Sequence, residues 1–149
     1  MFKFELQPVL ALKEKLEDNK KRELGLANTK HEQLVDERST LMILHNEAYN
    51  EIRRQCDGGL NISNLKQFNY YTARLNKQIE KKELEIVKAK KVVNEKRNEL
   101  LEAVKQRKIL ENLKEIKLEQ FKGEEIKAQN QIVDEIVSYK YGAVKRSEQ

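Results

Sequence analysis

The 149 residues carry 37% charged and 38% hydrophobic side chains, with five glycines, one proline, and 30 basic residues against 25 acidic for a formal net charge of +5. This mixture of Lys, Glu, Leu, Ala and Arg with almost no helix breakers is the composition of long helices and coiled coil. It excludes a compact mixed fold, and its apolar fraction suits a narrow stripe along helices better than a rounded core. The lone Cys56 has no partner for an internal disulfide, as expected in a reducing compartment.

In chain order, the opening MFKFELQPVLALKEKLEDNK scatters charges among its apolar positions, so no secretory segment is expected there. No apolar run approaches the ~20 residues that span a bilayer, and no transmembrane segment is expected anywhere. A first helix is predicted over about 5–56, with Pro8 tolerated in or before its first turn. Val9, Leu12 and Leu16 begin its apolar face, and Ala27, Leu34, Leu41 and Ala48 recur at seven-residue steps, with Leu44 and Ile52 close by. Around Lys20 to Arg22 the stripe turns polar, and Glu17 with Lys21 and Asp18 with Arg22 stand at helix-stabilising spacing. His31, Arg38 and His45 also fall seven apart, on an edge read as the solvated flank of the seam. The two histidines are about 21 Å apart along a helix axis, too far to share a metal.

The strongest break in the chain is RQCDGGLNISNL, Arg54 to Leu65. Two adjacent glycines lower helix propensity by ~1 kcal/mol each and admit positive φ, so a turn is predicted over 57–62, with Asn61 or Ser63 capping the next helix. The second helix, predicted over about 63–139, carries the clearer period. One seven-residue row reads Leu65, Thr72, Ile79, Ile86, Val93, Leu100, and its companion reads Phe68, Leu75, Lys82, Ala89, Lys96, Ala103. Beyond Leu100 the apolar residues Leu101, Val104, Ile109, Leu113 and Ile116 suggest a shifted register. Gly123 is expected to loosen the helix without ending it, and 140–149 is expected to be a flexible tail.

Two helices joined by a short turn pack antiparallel. The expected fold is therefore all-α: a single-domain, rod-like, long antiparallel two-helix coiled coil whose second helix is longer than the first. Helix one, roughly 75 Å, runs out opposite Ile109 to Leu113, while helix two reaches roughly 115 Å. The remaining segment still carries Ile116, Phe121, Ile126, Ile132, Val133, Ile136 and Val137. An apolar stripe without a partner in its own chain predicts another protein or self-association.

Catalytic chemistry is not expected. No glycine-rich phosphate loop surrounds Gly58-Gly59, Cys56 has no neighbouring His, and the carboxylates alternate with Lys and Arg. No cofactor or metal is expected. The basic run Lys88, Lys90, Lys91, Lys96, Arg97 is interrupted by Glu85, Glu95 and Glu99, as on a solvated helix face, so nucleic acid is not the expected partner. The stretch QFNYYTARLNKQI is more informative. Phe68 falls on the seam row, Tyr70 points away from it, and Tyr71, Leu75, Gln78 and Lys82 form an i, i+4, i+7, i+11 strip with the character of an interaction edge.

The opening FKFELQPVLALKEKLED, the turn after about fifty residues, the Q-F-x-x-Y-x-x-x-L-x-x-x-I string from Gln67 to Ile79 and the closing EIKAQNQIVDE, Glu125 to Glu135, resemble the flagellar FliJ family. The resemblance covers nearly the whole chain. It implies a cytoplasmic, non-enzymatic component of the flagellar type III export apparatus, peripherally associated with the inner face of the membrane and similar to the central stalk of rotary ATPases. Implied partners are the hexameric export ATPase, the cytoplasmic domain of the export gate, and export chaperones. The family's gate-binding strip matches at Tyr71 and Leu75, whereas Gln78 and Lys82 depart from its small and histidine positions. The end suited to the ATPase ring would comprise Phe2, Phe4, Leu6, Val9, Leu113, Ile116, Phe121 and Ile126. The rival readings are a homodimerising coiled-coil scaffold and a basic coiled-coil nucleic-acid binder.

Overall fold

The computed structural model describes residues 1–148. It is an all-helical antiparallel hairpin of α1, Gln7–Asp57, and α2, Ile62–Ser147, with 51 and 86 residues. α1 begins slightly later than expected, after a turn at Glu5 and Leu6, with Pro8 in its first turn. There the missing proline N–H removes no helical hydrogen bond.

The turn follows from its glycines. The Gly58 N–H donates to the Gln55 carbonyl at 3.2 Å, closing the last turn of α1. Gly59 then takes φ +91°, a conformation that side-chain-bearing residues rarely adopt. Of the two expected caps it is Asn61 that acts, its Oδ1 accepting the Ser63 N–H at 3.1 Å.

The chain divides into two compact units, Glu17–Ala103 and residues 1–16 with the chain from Val104 onward. In the Glu17–Ala103 unit the expected rows of α2 form the seam. Thr72, Leu75 and Val93 are buried, and Phe68, Ile79, Lys82, Ile86, Ala89, Lys96, Leu100 and Ala103 are half-buried. Thr72 is tolerated because its hydroxyl donates to the Phe68 carbonyl at 2.9 Å. On α1 the covered row Ala27, Leu34, Leu41, Ala48 is joined by Glu17, Leu24, His31, Arg38, His45 and Ile52, again at seven-residue steps. His31, Arg38 and His45 were expected on a solvated flank but stand in the seam. The His45 ring packs 4.8 Å from Tyr49, which stands edge-on to Phe68 at 5.0 Å. The amphipathic bodies of these side chains cover apolar neighbours, a role that hydropathy alone does not register.

In the other unit Phe4 and Leu10 are buried, and Phe2 packs against Phe121 with ring centroids 5.7 Å apart. The register shift expected beyond Leu100 is met only at Val104 and Leu113, which are half-buried. Leu101, Ile109 and Ile116 are 54%, 65% and 52% exposed, while Arg107, Lys114 and Phe121, continuing the unshifted seven-residue row, are half-buried. Polar pairing makes this possible: Lys114 Nζ donates to Gln7 Oε1 and Lys13 Nζ to Gln106 Oε1, both at 2.8 Å. α2 also passes its expected end near Tyr139. The segment expected as a tail is helical through Ser147, continuing past Gly142 with Lys140, Ala143, Lys145 and Arg146 as its good helix formers and with Lys145 and Arg146 in the last turn. Gln149 lies outside the described residues.

Candidate functional site

Two regions hold the residues singled out from sequence. The first is the strip on α2 near the turn. Its residues lie along one helix but are not equally presented: Tyr71 is 44% exposed, Gln78 is exposed, Leu75 keeps only 4% of its surface, and Lys82 is half-buried. Tyr71 shares a shallow groove with Phe68, Ala48 and Ile52, and Tyr70 beside it is 84% exposed. Lys82 Nζ reaches Glu37 across the seam at 2.6 Å and Glu85 on its own helix at 3.5 Å. The Glu37 hydrogen bond raises the Lys82 pKa above the usual lysine value, so its charge is fixed at neutral pH and committed to the hairpin.

Further along the same unit a four-charge cluster spans the seam. Lys20 contacts Glu99 at 3.1 Å and Glu23 at 3.3 Å, while Lys96 contacts Glu23 at 3.2 Å and Glu99 at 3.5 Å. Each group stabilises the charged form of its neighbours. The Lys96 and Lys20 ammoniums hold the Glu23 carboxyl below the usual range, and Lys20 does the same for Glu99. Lys20, through Glu99, and Lys96, through Glu23, are raised. The cluster matches charge for charge across the seam and thereby specifies helix register.

The second region belongs to the unit containing both ends of the chain. Phe4 is core, Phe2, Leu6, Leu113 and Phe121 are half-buried, and Val9, Ile116 and Ile126 are exposed. Sequence reasoning missed Leu10, which is 3% exposed, and Leu110 and Leu118, which are half-buried; the seven-residue recurrence from Leu10 through Glu17 and Leu24 is the signal that locates the first. From residue 124 to 148 every residue of α2 is exposed, including Ile126, Ile132, Val133, Ile136, Val137 and Val144. Val133 and Val137 are one turn apart, with Ile126 and Val144 on the same face at seven-residue steps.

Among the described residues no three His, Cys, Asp or Glu side chains gather as metal ligands, and no helix is long and apolar enough to cross a membrane. A long antiparallel helical hairpin with a charged seam belongs to the class of two-helix coiled coils. The family model described as "Flagellar FliJ protein" matches residues 2–146, and the chain belongs to that family. The FliJ family is a non-enzymatic component of the flagellar type III export apparatus, and the chain is accordingly an export component. Among solved structures it is similar to a YscO homolog, CT670 from Chlamydia trachomatis, at 21% identity and a TM-score of 0.50, covering 98% of this chain and 99% of the other. That likeness is one of fold. No curated protein sequence matches significantly.

Proposed function

We propose that the chain is a stalk and adaptor in flagellar export. Its chain-end unit docks into the hexameric export ATPase, the Tyr71 strip engages the cytoplasmic domain of the export gate, and the chain escorts export chaperones. It works in the cytoplasm, peripherally associated with the membrane at the flagellar base. Family membership supports the setting. The observation that carries the reading is the run of exposed apolar side chains on α2, Ile126, Ile132, Val133, Ile136, Val137 and Val144. Several large aliphatic side chains on one helical face are stable in water only at a cost, and contiguous exposed patches of this kind mark protein contacts.

The Phe2, Phe4, Leu6, Val9, Leu113, Ile116, Phe121 and Ile126 set divides within this reading. Phe4, with Leu10, holds the two chain segments together, while Val9, Ile116 and Ile126 remain available for contact. On the strip, Tyr71 and Gln78 are available and Leu75 supports them from below. Mixing the purified chain with its cognate export ATPase and following hydrolysis and ring assembly tests the proposal. Stimulation is expected, and no binding or effect at micromolar concentrations would sink it.

A further inference from the structure

One side of the Glu17–Ala103 unit carries an apolar-floored groove that the stalk reading touches only at Gln78 and Lys82. Its first section, about 390 Å³, is floored by Ala27, Leu34, Ala89 and Val92. Its second, about 500 Å³, continues past Leu41, and Glu85 lines both. The groove exists because two seam positions, Ala27 and Ala89, are small. Alanine knobs do not reach across to fill the space, so Val92 is left 43% exposed on the groove wall. From Ala27 to Leu41 the floor runs about 21 Å, some four turns of helix.

The rims are basic. Lys30, Lys81 and Lys88 line the groove and make no ion pair among the described residues, whereas Glu37 and Glu85, its two acidic residues, share Lys82. Four lysines against two glutamates leave the groove lining with a net charge of +2, and both carboxylates are engaged by one of those lysines, Lys82, while the other three ammoniums face outward. A second copy of this chain would oppose like charges there. Nucleic acid would satisfy the lysines but leave the apolar floor uncovered. A bilayer surface is too flat to enter a concave channel. An amphipathic helix satisfies both features, with apolar side chains at i, i+3/i+4 and i+7 entering the floor.

We infer that this groove receives an acidic amphipathic helix from another protein, laid along it as a third helix with Asp or Glu flanks against Lys30, Lys81 and Lys88. The inference is independent of the ATPase contact and shares Gln78 and Lys82, at the groove's second section, with the gate-binding strip.

The test uses the full chain and a fluorescein-labelled synthetic 18-residue helix with leucines at 3-4 spacing and glutamates elsewhere, followed by anisotropy at ~100 mM salt. Saturable binding is expected. It should weaken at least about tenfold in the Lys30→Glu, Lys81→Glu, Lys88→Glu variant. It should also weaken in Ala89→Phe, which fills the floor, and hold in Lys77→Glu, Lys91→Glu, Lys105→Glu, which reverses as many charges elsewhere. A photo-crosslinker at the peptide centre should label groove residues. Equal weakening by both charge reversals, or equal binding of a peptide with lysines in place of glutamates, would overturn the inference. So would a dimer in sedimentation that Ala89→Phe dissolves, or a single-stranded oligonucleotide that displaces the peptide from the same lysines. The charge-reversal variants alter only exposed side chains, so the test survives if Ala89→Phe fails to fold.

Discussion

Leu75 is 4% exposed and Tyr71, one helical turn earlier, is 44% exposed. Leu75→Ala removes buried methyl groups from a seam with little else to fill the space and should destabilise the hairpin by about 2–4 kcal/mol in urea titration. Tyr71→Ala should change stability by less than ~1 kcal/mol and report on recognition alone: it should weaken binding of the export gate domain while leaving the helical circular dichroism intact. A double change of the two residues would confuse packing with contact. Gly59 makes a separate prediction. With φ at +91°, Gly59→Ala should cost ~1 kcal/mol or more, although open space surrounds the position. The division among Phe68, Tyr70 and Tyr71 was legible from heptad position, because each side chain's direction follows from its step along the helix. The half-buried row of His31, Arg38 and His45 was not. A polar residue whose stem or ring covers apolar neighbours is indistinguishable in sequence from one on a solvated flank.

At the scale of the helices, Lys20, Glu23, Lys96 and Glu99 join α1 to α2 and give the hairpin a pH signature. Glu23 and Glu99 are depressed below 4.5, so their contribution is complete above that pH and is lost as pH falls through the folded values. Lys20, Lys82 and Lys96 are raised above 10.5, so their contribution is complete below that pH and is lost as pH rises through the folded values. The thermal midpoint should therefore be level between about pH 5.5 and 9.5 and fall on both sides. Glu23→Gln should flatten the acid limb, and a midpoint that rises on acidification would contradict the assignment. These groups are solvent-accessible, so high salt should shrink both limbs. The hairpin itself was readable from the Gly58-Gly59 break and the row from Leu65 to Leu100. Its continuation was not, because hydropathy marks only apolar residues as seam positions. Arg107 and Lys114 hold seam positions there, with Lys114 bonded to Gln7, and leave Ile109 and Ile116 outside.

For the molecule as a whole, the FliJ assignment agrees with the long antiparallel helical hairpin. The apolar residues of α2 beyond Phe121 were visible in sequence as a stripe without a partner, and its helical continuation to Ser147 extends that face. If the stripe served self-association, sedimentation equilibrium would show a dimer at tens of micromolar; a monomer is expected. The most direct measurement is the ATP hydrolysis rate of the cognate export ATPase with the full chain and with a Val133→Asp, Val137→Asp variant, whose substitutions fall on exposed positions. The full chain should bind and stimulate hydrolysis, and the variant should keep its helicity while losing at least about tenfold in the concentration needed for half-maximal effect. Stimulation unchanged by the two aspartates, or none from the full chain at all, would contradict the account.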